Sequence, residues 1–260
     1  GCVIIVAASG NLTLTGGTLS GGWNSGYNND GIHSAGGIVN KGSTTLNNVT
    51  ITNCKGIDGG AIMNANDATL NITGGTISNC ESNQGGGGIV NKGYSATIIG
   101  CTFDNNTATT RGGAIWSNSS ITTGGCTFTN NKALAQGEGG DGGAIHVDGG
   151  LTILVDDIIT GNSSKDAGAI YVKSGARLDI YGNTLISGNE STEHGGGGIV
   201  NYGTVNMLGG TITNNTCHTD GAGIWNNGTI TMQGDVQVKN NIGDDVFLKN
   251  GTSINTGSLT

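Results

Sequence analysis

One phrase constrains this chain more than any other feature. The run Gly85-Gly86-Gly87-Gly88-Ile89-Val90-Asn91 recurs letter for letter at residues 195–201, with looser copies at 36–40, 59–64, 112–116, 142–146, 167–171 and 221–225. The phrase isoleucines fall at 38, 62, 89, 115, 145, 170, 199 and 224, so successive gaps run from 24 to 30 residues. A phrase repeated at that period along a whole chain marks a solenoid, in which each repeat buries its apolar side against copies of itself. The spacing predicts a single domain over 1–260.

Each repeat holds three short runs. The phrase is the first. The second alternates polar and apolar, as in Thr69-Leu70-Asn71-Ile72-Thr73 or Arg177-Leu178-Asp179-Ile180. The third centres on Ile51, Ile77, Phe103, Phe128, Ile159, Ile186, Ile212 and Val238. Alternation over four to six residues bounded by Gly or Asn reads as strand, and no useful stretch carries the helical period. Three strands per coil, each too short to bury a face alone, predict a parallel β-helix of about ten coils, wound right-handed by the usual twist argument. Aligning Gly10 with Gly203 places Val6 in the register of Ile199, and Val246-Phe247-Leu248 is read as a last, imperfect phrase.

Composition agrees with strands. Gly is 52 of 260 residues, Pro is absent, and charged residues make up 11%. Gly-rich without Pro or a three-residue period is not collagen, and the spaced Ile, Val and Leu argue against disorder. The net charge of −8, with basic residues scattered singly, disfavours nucleic acid and anionic membrane as partners. No run approaches the ~20 apolar residues of a membrane span. The chain opens on Gly1, and its apolar start is short and lacks a basic flank, which suggests a piece of a longer protein; the resemblance described below implies an extracellular or cell-surface one.

Two ladders follow from the repeat. Three residues after each third-run apolar position stand Cys54, Cys80, Asn106, Asn131, Asn162, Asn189, Asn215 and Asn241. A buried amide there satisfies backbone groups that a bend would orphan. A second series, Asn40, Asn64, Asn91, Asn201 and Asn226, follows the phrase Ile and is interrupted by Ser117, Val147 and Val172. Cys54 with Cys80, and Cys101 with Cys126, occupy equivalent places in consecutive coils. Their spacing admits cross-rung disulfides or inert buried thiols; a long self-supporting chain has no need of the former, and no spacing suits a metal.

A Gly-Gly-Ala-Ile phrase alternating with a Phe-x-x-Asn phrase resembles the repeats of the chlamydial polymorphic outer membrane proteins and related bacterial and archaeal adhesin-like proteins. Gly59-Gly60-Ala61-Ile62, Gly112-Gly113-Ala114-Ile115 and Gly142-Gly143-Ala144-Ile145 carry the first motif, and Phe103 with Asn106 and Phe128 with Asn131 the second. The resemblance implies a surface-exposed β-helical passenger or stalk with an adhesive role and no cofactor. Such repeats specify fold far more than ligand.

Parallel β-helices also carry polysaccharide lyases, hydrolases and phage depolymerases, so a carbohydrate-active enzyme is the alternative. Its candidate carboxylates are Asp156-Asp157 and Asp244-Asp245, but adjacent strand residues face opposite ways and only Arg111 and Arg177 could serve an arginine base. An ice-binding reading rests on the outward Thr13, Thr15, Thr69, Thr73, Thr229 and Thr231, interrupted by Arg177, Asp179 and Tyr181. The longest turns bring Asp30, His33, Glu138, Asp141, Glu190, His194 and Asp220 to one edge, which reads better as a solvated rim than as a metal site. The favoured recognition surface is the residue after each phrase Ile: Val39, Met63, Val90, Trp116, His146, Tyr171, Val200 and Trp225. Facing outward, these form an apolar and aromatic stripe suited to a host-cell glycan or protein ligand, or to another copy of the chain.

Overall fold

In a computed structural model, residues 3–26, 35–134 and 141–259 are described, and among them the chain is all strand and turn, with no helix. Every strand pairing is parallel. The phrases form a ten-stranded sheet, the alternating runs another of ten and the third runs one of nine. A fourth, six-stranded sheet is built from Lys55–Gly56, Glu81–Ser82, Thr107–Ala108, Lys132–Ala133, Ser163–Ser164 and Glu190–Ser191. The three-strand expectation missed this sheet because two-residue strands leave no alternation to read. The molecule is a parallel β-solenoid of four sheets.

Register follows the side chains. Ile38, Ile62, Ile89, Ile115, Ile145, Ile170, Ile199 and Ile224 pair in sequence and are fully buried. Leucine and isoleucine of the other two long sheets complete one continuous core. Phe103 and Phe128 stack inside it at 4.8 Å and 7°, a separation set by the rise between rungs. One alignment needs correcting: Ile4, not Val6, takes the phrase position, since Ile4 pairs with Ile38 and Val6 with Asn40. The turn from phrase to alternating run changes length between coils, being longer at residues 7–10 than at Tyr202-Gly203, so constant spacing misplaced the first strand.

The corners explain the Asn-rich composition. Each third run ends in a residue with left-handed backbone: Gly21, Asn53, Asn79, Asn105, Asn130, Gly161, Gly188, Asn214 and Asn240, with φ between 52° and 70°. Asn and Gly enter that region at least cost. The next residue turns inward. From Asn106 to Asn241 each amide repeats one pattern, and Asn215 shows it: its Nδ2 donates to Ile186 O (3.0 Å) and to Asn241 Oδ1 (2.9 Å), and its backbone N–H donates to the same Oδ1 (3.0 Å). Its own Oδ1 accepts the two corresponding bonds from Asn189. The series begins where Cys80 N donates to Asn106 Oδ1 and ends on the carboxylate of Asp245, which accepts from Asn241 N and Nδ2. Cys54, Cys80, Cys101 and Cys126 are buried free thiols, and burial pushes the Cys126 thiol up to about 11.

The phrase glycines answer a different demand. Gly60, Gly87, Gly113, Gly143 and Gly168 are pinched between the next coil and the short fourth sheet. A Cβ on Gly113 would overlap the carbonyl oxygen of Gly143 and the amide of Lys132, and the other four repeat this collision. The chain packs backbone on backbone here, which only Gly permits.

Two stability contrasts follow. Asn215→Ala strands two donors of Asn189 in the core and is expected to cost at least ~2 kcal/mol, whereas Asn214→Gly, its exposed left-handed neighbour, stays near wild type. Urea midpoints measure both; equal losses would remove the ladder from its structural role. Gly113→Ala is expected to abolish cooperative unfolding. Gly125→Ala, whose Cβ meets nothing within 4 Å at φ 59°, should lose only the ~1–2 kcal/mol of left-handed strain.

Candidate functional site

The residue after each phrase Ile does lie on the outer face of the phrase sheet, but that face is largely covered. Val39, Met63, Val90, His146 and Val200 are buried, while Trp116, Tyr171 and Trp225 are half-buried. The open stripe expected from strand alternation is therefore corrected. The cover is the glycine-rich approach to the phrase, which folds back over the strand: Gly86 lies against Val90, Gly85 against Trp116, Gly196 against Val200 and Gly195 against Trp225. Ala35, Val39, Met63 and Val90 form a second apolar cluster beneath this cover, with Trp116 packed at its end.

Beyond Trp116 the face becomes polar and aromatic. Asp148 gathers Lys173 Nζ at 2.6 Å, His146 Nε2 at 3.5 Å and Arg111 Nη1 at 3.9 Å. The polar edge of the His146 ring and, carrying the opposite charge, the Lys173 ammonium hold the Asp148 carboxyl well below the usual range. His146 is only 2% exposed and neither ring nitrogen has a hydrogen-bond partner, so the 3.5 Å approach is an electrostatic contact only. Burial lowers the pKa of this ring and keeps it neutral.

From His146 the rings run in a ladder. His146 and Tyr171 stack at 5.0 Å and 8°. Tyr171 to Tyr202 follows at 5.6 Å and 36°, Tyr202 to Trp225 at 5.1 Å and 44°, and Trp225 to Phe247 at 6.3 Å and 19°. The sequence pattern missed Tyr202, which lies three residues after Ile199 instead of one. It fills the gap left by the small Val200, and a search for a large ring near each small stripe residue would have found it. Around this break opens a cleft of about 370 Å³ lined by Asp166, Tyr171, His194, Gly195, Val200, Tyr202, Thr219 and Trp225. On its wall His194 Nδ1 meets Asp166 Oδ1 at 2.6 Å. A smaller cleft of about 240 Å³ surrounds Trp116, where Lys92 stands 5.3 Å from the ring and pairs with Asp58 at 3.0 Å.

The other candidates are placed elsewhere. Asp157 is buried at a corner and accepts from Thr123 Oγ1, Cys126 N and Val155 N, while Asp156 is exposed with its backbone left-handed. Burial nevertheless pushes the Asp157 carboxyl up to about 6. Asp245 ends the Asn ladder and Asp244 is exposed, so neither carboxylate pair faces a shared groove. Arg177 holds Asp179 through two bonds. Asp30, His33 and Glu138 lie outside the described residues. His194 and His218 are exposed on the rim, and no metal-holding cluster exists among the described residues.

Residues 100–118 and 125–148 match the family model of the Chlamydia polymorphic membrane protein repeat. These stretches carry Phe103 and Phe128, Asn106 and Asn131, and the phrases ending in Ile115 and Ile145. Over these two stretches the β-solenoid is similar to that repeat. No curated protein and no solved structure matches it.

One of the turn acids expected on the solvated rim, Asp141, is instead buried at 2% exposure, which gives a pH prediction. Burial pushes the Asp141 carboxyl up to about 7, with the charge of Asp166 adding to the shift. A carboxyl raised on folding stabilises below its unfolded pKa near 3.8, and that contribution is lost as pH rises through its folded value. The melting temperature of the wild type should therefore fall relative to Asp141→Asn between about pH 4 and pH 7. Parallel curves for the two proteins across that window would contradict the shift.

Proposed function

We propose that this chain is a rigid, non-enzymatic segment of a surface-exposed adhesin-like protein, its coils wound right-handed, and that it recognises its ligand along the outer face of the phrase sheet. The observation that carries the reading is the ring ladder from His146 to Phe247, which ends its regular stacking in a solvent-open cleft. A solenoid with one continuous core is stiff along its length, so it projects a side-facing patch away from an anchoring surface. Half-exposed aromatic rings held by their neighbours lose little freedom on binding and make strong anchors. The repeat family supports a cell-surface location. The reading calls for no cofactor, and its partner is a host-cell glycan or protein, or another copy of the chain.

The experiment is saturable binding of the fluorescently labelled protein to a panel of eukaryotic and bacterial cells, followed by flow cytometry. Trp116→Ala combined with Trp225→Ala should keep the circular dichroism spectrum and lose at least ~10-fold in apparent affinity, the scale of one anchor residue or more. A folded double variant that binds every cell type as the wild type does, with unchanged self-association, would sink the reading.

A further inference from the structure

We propose that the cleft floored by Tyr171, Val200, Tyr202 and Trp225 is a binding site for the neutral hexopyranose end of a glycan. This rests on the adhesin reading and assigns the chemistry of its ligand.

The floor comes first. At the rise of one rung, parallel rings in stacking contact leave no space between them, and His146 on Tyr171 at 5.0 Å and 8° is closed in this way. At the next coil the outward position is Val200, too small to continue the stack. Tyr202 enters from a different place on the strand turn and lies at 36° to Tyr171 and 44° to Trp225. The tilt uncovers ring surface: Tyr202 is 38% exposed, and Trp225 remains half-exposed beside it. The result is a row of tilted ring faces bordering a notch of about 370 Å³, at the small end of ligand pockets and sized for a mono- or disaccharide end.

The wall supplies the polar half. Asp166 and His194 hold each other at 2.6 Å, which fixes the carboxylate beside the rings. A carboxylate accepts from two hydroxyls at once, and Thr219 and the tyrosine phenols add groups that both donate and accept. Burial raises the pKa of Tyr171 and of Tyr202, keeping both phenols protonated. Flat apolar surface next to hydroxyl-matching groups is the chemistry of a pyranose, which offers C–H groups on one face and hydroxyls around its edge.

Other ligand classes fit less well. An acidic sugar or phosphate would have to lie against the Asp166 carboxylate on the wall, where the adjacent Lys165 is paired with Glu193 at 3.0 Å and Lys249 stands instead over the Trp225 ring, 5.8 Å from its centroid. A quaternary ammonium group calls for ring faces converging around one point. Here the rings follow one another along a single wall, with successive centroids 5.6 and 5.1 Å apart. That arrangement suits an extended, flat ligand.

The test applies the whole chain to an array of glucose-, galactose- and N-acetylhexosamine-terminated oligosaccharides with sialylated, sulfated and phosphocholine-bearing counterparts. Hits are then titrated calorimetrically. Neutral hexose-terminated glycans are expected to bind. Tyr202→Ala and Asp166→Asn should each weaken that binding ten-fold or more with unchanged melting temperature, and Tyr94→Ala, an exposed ring that lines no part of the cleft, should not. Asp166→Asn keeps the proposal falsifiable if the Tyr202 variant fails to fold. Selective binding of acidic or phosphocholine ligands, or neutral-glycan binding indifferent to Asp166→Asn, overturns the assignment. Cell binding without any glycan binding overturns it while leaving the adhesin reading in place; loss of both removes both.

Discussion

The amide ladder decides where each coil can bend. A coil of short strands turns sharply several times per circuit, and every turn points backbone groups into a dry interior. At the corner after the third run, Asn106, Asn131, Asn162, Asn189, Asn215 and Asn241 meet this demand by bonding both to the coil before and to the coil after. From Asn131 onward each side-chain oxygen accepts two bonds, Asn106 Oδ1 accepts one from Cys80 N, and each side-chain nitrogen donates at least two, so every buried amide has partners on both sides. Such a network fixes register: a coil displaced by one residue would place the left-handed residue inside and the amide outside. The ladder thereby sets the position of the third run, and through it the inward face of every other strand.

Glycine has the complementary task at the opposite corner. The pinched positions bring the short fourth sheet against the phrase so closely that side chains are excluded. The approach loops lack side chains for the same reason, and can lie flat across the outer face. One compositional bias therefore produces two effects, a narrow corner inside and a cover outside. The cover explains why a face with Val39, Met63 and Val90 on it presents little apolar surface to water.

What the sequence disclosed depended on periodicity. The inward Ile stack, the third-run apolar stack and the amide ladder were legible because each recurs once per coil at fixed spacing. Features without a period were not. Tyr202 stands where other coils carry Lys41, Ala65, Lys92, Asn118, Asp148 or Lys173, so no pattern singled it out. Asp245 was read as half of a carboxylate pair, although its place four residues beyond Asn241 makes it the ladder's terminal acceptor. The path of a glycine loop leaves no trace in hydrophobic patterning, which is why the outer stripe looked open. The slip at Val6 has the same origin, a turn whose length varies between coils that otherwise match.

A solenoid repeats its surface as regularly as its core, and a uniform surface discriminates poorly between ligands. Selectivity needs a place where the translation breaks. On the phrase face two breaks stand out. At the first, the apolar outward positions give way to Trp116 and His146, and charges gather around Asp148. That break is filled from within, since Lys173 and Arg111 flank the carboxylate and the buried imidazole of His146 closes the space beneath. At the second, Val200 interrupts the rings, and Tyr202 restores the ladder at an angle that leaves its face to solvent. The polar side chains beside it come from two separate approaches to the phrase, Asp166 from one coil and His194 from the next, and meet only because the coils stack in register. The regular part of the fold thus positions a site that the repeat itself does not encode. The identity of a ligand is held in the few residues that depart from the pattern, and the stiffness with which it is presented in the many that keep to it.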